Sequence, residues 1–155
     1  MKTVVCSGYF DPLHVGHLDY LEAAAKLGDR LLVIVNNDEQ AALKKGRAFM
    51  PQYDRVRIVS ALRMVSVVVL SLDEDASVCA TLRNLRPVHE TQVIFANGGD
   101  RAEDEIPEAT VCAELGIDMV FRVGGEKVAS SSDLIEYAAS ERFLAWLDEV
   151  DDGRS

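Results

Sequence analysis

Gly8–Leu21 reads GYFDPLHVGHLDYL. Just before it, Lys2–Ser7 (KTVVCS) is a short apolar run of strand character. Towards its end and beyond, Leu18, Leu21, Ala24, Ala25 and Leu27 recur close to a helical period, and Gly28 supplies a stop. The stretch is therefore a strand-to-helix junction. It holds His14 and His17, two of the chain's three histidines, with Gly16 between them. Three positions on a helix make about one turn, so the two imidazoles point the same way. With a helix start near Val15, they stand where free backbone N–H groups and the positive dipole end favour an anion. Gly16 has no side chain, which lets a phosphate approach the backbone. The pattern reads as a phosphate clamp. Metal ligation is the competing reading. It needs three or four convergent ligands, and neither His89, the cysteines nor the loop carboxylates stand at metal-binding spacing.

Outward from this junction, strand and helix patterns alternate. Arg30–Val35 (RLLVIV) is apolar without alternation, as in a strand buried on both faces. Asp38–Leu43 reads as a short helix, 44–52 (KKGRAFMPQ) as a loop, and 54–63 as a helix. Strands are expected at 65–72, 92–96 and 118–123. Helices are expected at 76–85, ended by Pro87, at 107–115, stopped by Gly116, and from about 133 to 139. A last helical turn or two falls within 143–150. Five such alternations with short connections predict a doubly wound α/β domain. Its sheet would be five-stranded, parallel and Rossmann-like, with helices on both faces. Residues 1–139 form that domain and 140–155 a C-terminal helical extension and tail. Ligands bind such sheets beyond the strand carboxyl ends. His14, Asn36 and the Gly98–Asp100 segment all follow strands there.

Composition narrows the function. The chain has 155 residues, 48% hydrophobic and 27% charged, which suits one soluble domain. No apolar run reaches a membrane span, and the N-terminal segment does not read as a signal peptide. Sixteen basic against 26 acidic residues give a formal charge of −10, which opposes a nucleic-acid partner but not a small nucleotide. The three cysteines, Cys6, Cys79 and Cys112, form no CxxC pair and fit buried thiols in a reducing cytoplasm.

The run GYFDPLHVGH resembles the GxFDxxHxGH signature of the nucleotidyltransferase superfamily, within its cytidylyltransferase-like branch. Class I aminoacyl-tRNA synthetases share the HxGH element, but this chain is short, acidic and without a KMSKS-like loop. The resemblance runs from the first strand to the SSSDLI segment. It implies direct transfer of a nucleoside monophosphate from a triphosphate to a phosphate oxygen, with release of pyrophosphate. Catalysis then rests on alignment and charge stabilisation.

Residue by residue, the resemblance implies His14 and His17 as donors to the triphosphate, with Lys44 of the basic loop as a phosphate ligand. Lys45 and Arg47 are neighbours that share its charge. Gly8, Tyr9, Phe10, Asp11 and Gly16 form the nucleotide-binding turn. Asp11 either helps hold Mg²⁺ or anchors the loop. Gly98, Gly99 and Asp100 match the GGD segment that approaches the nucleotide. Ser130, Ser131 and Ser132 match hydroxyls that bind the outer phosphates. Arg55 and Arg63 are expected to face the acceptor phosphate. The chain departs from the cytidylyltransferase pattern where Arg-Thr is common, carrying Gly125 and Glu126 instead, with Lys127 beside them. The resemblance also implies a homodimer, and triphosphate chemistry implies Mg²⁺. The leading expectation is CTP with a small phosphate or phosphonate acceptor such as 2-hydroxyethylphosphonate. The alternative is ATP with heptose phosphate, FMN or pantetheine phosphate. A non-catalytic nucleotide-binding module is the reading from another class.

Overall fold

The computed structural model describes residues 1–99, 106–126 and 129–153. Five strands form one parallel sheet: β1 (Lys2–Gly8), β2 (Arg30–Val35), β3 (Val67–Leu70), β4 (Gln92–Ala96) and β5 (Asp118–Val120). Their spatial order is β3-β2-β1-β4-β5. β1 is central, and its Val5 pairs with Leu32 on one side and Phe95 on the other. The chain steps outward from β1 through β2 to β3, then crosses back to place β4 on β1's free edge. The topological switch therefore lies between β1 and β4, and the crevice beyond their carboxyl ends is where such sheets bind ligands.

Alternate residues of a strand face opposite sides of the sheet. Val5, Leu32, Ile34 and Phe95 pack beneath α4 (Cys79–Asn84), α5 (Arg86–Glu90) and α6 (Glu108–Leu115). Val4, Cys6, Leu31 and Val33 pack beneath α1 (Val15–Ala25) and α3 (Gln52–Ser60), against Leu21, Ala24 and Val59. The apolar RLLVIV run is thus covered on both faces, as its lack of alternation predicts. α2 (Asp38–Lys45) follows β2, while α7 (Ser131–Ala138) and α8 (Glu141–Asp152) close the chain. Among the described residues no helix is long and apolar enough to cross a membrane.

Two boundaries differ from expectation for identifiable reasons. The helix expected over 76–85 divides. Its start is delayed to Cys79 because the buried Asp73 carboxylate accepts from Ala80 N at 2.7 Å and Thr81 N at 3.0 Å. Pro87 does not end it but sits in the first turn of α5, where a missing N–H costs nothing. The helix expected over 54–63 ends at Ser60, so Arg63 lies beyond it in a turn.

Burial pushes the Cys6 and Cys112 thiols up to about 12 and raises Cys79 as well. All three are free thiols. Protonated at neutral pH, they make poor nucleophiles and metal ligands.

Candidate active site

A cavity of about 630 Å³ opens at the carboxyl ends of the strands. A more open hollow of about 560 Å³ lies at the opposite edge, lined by Lys2, Asp29, His89 and Gln92 among others. That hollow takes the third histidine, His89, away from the pair.

His14 is the N-cap of α1, with extended backbone, and its Nδ1 accepts from Gly16 N at 3.1 Å. His17 is the third helical residue, and its Nδ1 accepts from His14 N at 3.1 Å. This is a reciprocal capping box built from two imidazoles instead of a hydroxyl and a carboxylate. An accepting Nδ1 on a neutral ring puts the ring hydrogen on Nε2. The rings stack at 3.8 Å and 21°, and Phe10 meets His17 edge-on at 4.9 Å. The two stacked rings line the cavity wall, each with Nε2 as its donor nitrogen. The helix end differs from expectation in one respect. The Gly16 N–H, expected to face an anion, is spent on His14, and the imidazoles present donors in its place.

Gly8 to Asp11 line the floor with Gly16. Phe10 is buried, with a left-handed φ of 51°, and its ring lies under Gly8, where an added Cβ would stand 2.9 Å away. Asp11 is buried with both oxygens engaged. Oδ1 accepts from Met50 N at 2.7 Å, and Oδ2 from Phe49 N at 2.8 Å and Lys45 Nζ at 2.6 Å. Of the two roles left open for Asp11, these bonds fit the loop anchor. Lys45 is absorbed by this contact, while Lys44 lines the cavity with its Nζ 4.4 Å from the centre of the Tyr9 ring.

Burial by itself would raise the Asp11 pKa. The Lys45 ammonium and the two backbone N–H groups overcome it and hold the carboxyl below its usual 3.8. A folded-state value below the unfolded one contributes stability above pH 4 that fades as pH falls through the folded value. Asp11→Asn keeps an acceptor but loses the charge, at a cost of about 1–3 kcal/mol near neutrality. Urea unfolding from pH 7 to pH 2 will show the gap between wild type and Asp11→Asn closing only below pH 4. A gap independent of pH would contradict this role.

Gly98 and Gly99 turn the chain out of β4, and a Cβ on Gly98 would stand 3.0 Å from the Tyr20 ring. Tyr20 donates to Ala96 O at 2.5 Å, tying α1 to the end of β4. Asp100 and Lys127 lie outside the described residues. On the far wall, Ser130 caps α7 by accepting from Asp133 N at 3.4 Å. Ser131 Oγ donates to Pro12 O at 2.8 Å, and Ser132 lines the cavity beside them.

Both arginines depart from expectation. Arg55 is fully buried beneath the site and is not one of the cavity-lining residues. Its Nε donates to Met50 O, its Nη1 to Tyr9 O and Asn36 O, and its Nη2 to Asp38. No donor pair is turned to an acceptor phosphate, so Arg55 holds loops and not ligand. Arg63 is exposed and does not line the cavity either.

Several lining residues escaped the sequence reading. Gly124, with φ 89°, passes so close to α1 that a Cβ would stand 2.7 Å from Tyr20 Cα. Among the described residues Asn97 Nδ2, at the rim of the cavity, is sealed from solvent without a hydrogen-bond partner. Glu108, at the start of α6, is buried and reaches the cavity from the face opposite α1. Asn97 had a signal, since it directly follows β4. Glu108 had none.

Residues 5–141 match a family model described as cytidylyltransferase-like. The bifunctional protein HldE of Gluconobacter oxydans is 36% identical over 145 residues, covering 92% of this chain and 27% of that protein. The FAD synthase of Archaeoglobus profundus is 38% identical over 106 residues, covering 68% of this chain and 63% of that one. The crystal structure of a lipopolysaccharide core biosynthesis protein from Thermoplasma volcanium superposes with TM-score 0.63 at 27% identity. It covers 78% of this chain and 95% of that one. The chain spans about a quarter of the length of the HldE relatives it matches.

Proposed function

The chain belongs to the cytidylyltransferase-like family, and from that premise we propose that it transfers AMP from ATP to a phosphate oxygen of a small acceptor. The acceptor oxygen forms a bond to the α-phosphorus, the bond from that phosphorus to the bridging oxygen breaks, and pyrophosphate leaves. The observation that carries this reading is the stacked His14–His17 pair lining a cavity over the β1/β4 switch. Donors fixed in this way stabilise charge as it moves to the leaving group. Lys44 adds a positive charge on the same cavity, and an acceptor that arrives already ionised needs no general base from the chain.

ATP replaces the CTP expected from the sequence. An FAD synthase is by name a builder of an adenine dinucleotide, and the Arg-Thr pair common in cytidylyltransferases is missing here, with Gly125 and Glu126 in its place. A phosphonate acceptor has no support beyond the original resemblance. Magnesium would arrive with the triphosphate and neutralise its charge. Among the described residues no three His, Cys, Asp or Glu side chains gather to hold an ion, and Asp11 is already engaged.

The test is pyrophosphate release with each of the four ribonucleoside triphosphates against a panel of small phosphates. We expect turnover with ATP at least tenfold above CTP. A preference for CTP would overturn the choice of donor and keep the transfer. Nucleotide binding without pyrophosphate from any pair would instead favour a binding module.

A further inference from the structure

β4 ends at Ala96, and Asn97 carries the chain out of the sheet beside the β1/β4 switch. Its backbone is fully engaged. Asn97 N donates to Val120 O at 2.8 Å, and Asn97 O accepts from Val123 N at 3.0 Å, which lays the turn after β5 alongside it. Its side chain is not engaged. Among the described residues Nδ2 is sealed from solvent and bonds to nothing, and Oδ1 has no partner either. Buried amides are ordinarily hydrogen-bonded, and a sealed donor without an acceptor destabilises the free protein. The fold therefore gives this amide no structural use. Asn97 also lines the cavity. Since its side chain holds no bond, turning it inward breaks none.

The wall around Asn97 is almost bare of side chains. Gly98 and Gly99 follow it, Gly124 and Gly125 lie on the turn bonded to it, and all four line the cavity. Backbone without Cβ atoms lets a flat ring lie close. Charge points the same way. The cations lining the cavity among the described residues are Lys44 and Lys45, at the end of α2, whereas Glu126 adds a carboxylate to the glycine wall. Phosphates are drawn to the lysines and the histidine pair and repelled from this wall. The uncharged end of the nucleotide is left to it.

We propose that the Asn97 amide reads the nucleobase, with Nδ2 donating to a ring nitrogen or carbonyl oxygen of the base and Oδ1 accepting from a base N–H. This rests on the nucleotidyltransferase reading above. Asparagine meets the adjacent donor and acceptor on an adenine edge by this pairing. The bound base supplies the partner that the fold withholds, so the amide is unpaired in the free protein and satisfied in the complex.

The experiment measures Kd for each of the four ribonucleoside triphosphates, without acceptor, on wild type and Asn97→Leu. Leucine is close to asparagine in shape and has neither polar atom. Ribose and phosphates are common to all four ligands, so a lost contact to either weakens all four alike. A lost base contact falls on the preferred nucleotide. We expect Kd for that nucleotide to rise at least about fivefold and Kd for the least preferred to change less than about twofold, so that the ranking narrows. An equal loss on all four, no loss on any, or a wild type that binds all four equally would overturn the proposal and leave the transferase reading standing. A wild type that binds none of them would overturn both. Should Asn97→Leu fail to fold, Asn97→Ala decides by the same four constants.

Discussion

Replacing His17 by alanine is expected to lower kcat by about 10²–10³, the cost of removing one preorganised donor from a developing charge. The same change removes the acceptor that satisfies His14 N, so a loss of about 0.5–2 kcal/mol in stability comes with it. Lower activity alone would therefore not separate catalysis from capping. Glutamine separates them. At the third helical position a Gln side chain reaches back to the N-cap N–H as in the usual capping box. His17→Gln should recover most of the lost Tm and almost none of the lost kcat. Pyrophosphate release and thermal unfolding on the three proteins measure both. Recovery of both by Gln would assign His17 to the helix and deny it the reaction.

The largest stability effect is expected at Arg55. Its guanidinium ties together Tyr9 after β1, Asn36 after β2 and Met50 before α3 through their carbonyls. Arg55→Met fills the volume and leaves these carbonyls without their donor. At about 1–3 kcal/mol for each buried group left unpaired, the loss should reach several kcal/mol. That is a large part of the stability of a domain this size. Asp38, half-exposed at 45%, can return to water and adds little. Arg55→Lys should rescue only part of the loss, because one ammonium cannot reproduce a planar fork. Urea unfolding would register this as a lower midpoint at unchanged slope. A Met variant as stable as wild type would show that the three loops hold their places unaided.

The two arginines show where sequence reading stops. Arg55 and Arg63 looked alike as cations near a basic loop. What separates them is three carbonyl oxygens, on turns 5 to 46 residues away in sequence, that converge on one point. No spacing rule encodes that convergence. The histidine pair was legible because its partners are local, a single helical turn and one strand end. The sheet was legible because β2 and β4 are apolar after their first residue and their connections are short. The late start of α4 was not, since Asp73 sets it from outside the helix. Asn36 was visible as a strand-end residue, but its orientation depends on Gln40 and on the carbonyls of Asp75 and Ser77. Glu108 carried no local mark because the cavity it enters is assembled by other elements. The nucleotide was not legible, since a base-reading side chain has no period.

The bond from Ser131 to Pro12 joins residues 119 positions apart. A ribosome adding about 5–20 residues per second spends roughly 6–24 s between making the two. For most of that interval the histidine turn has been made while the wall from Ala129 to Ser132 is still unsynthesised. A chain at that stage holds the first half of the pocket without the second, and nucleotide capture must await the synthesis of that wall.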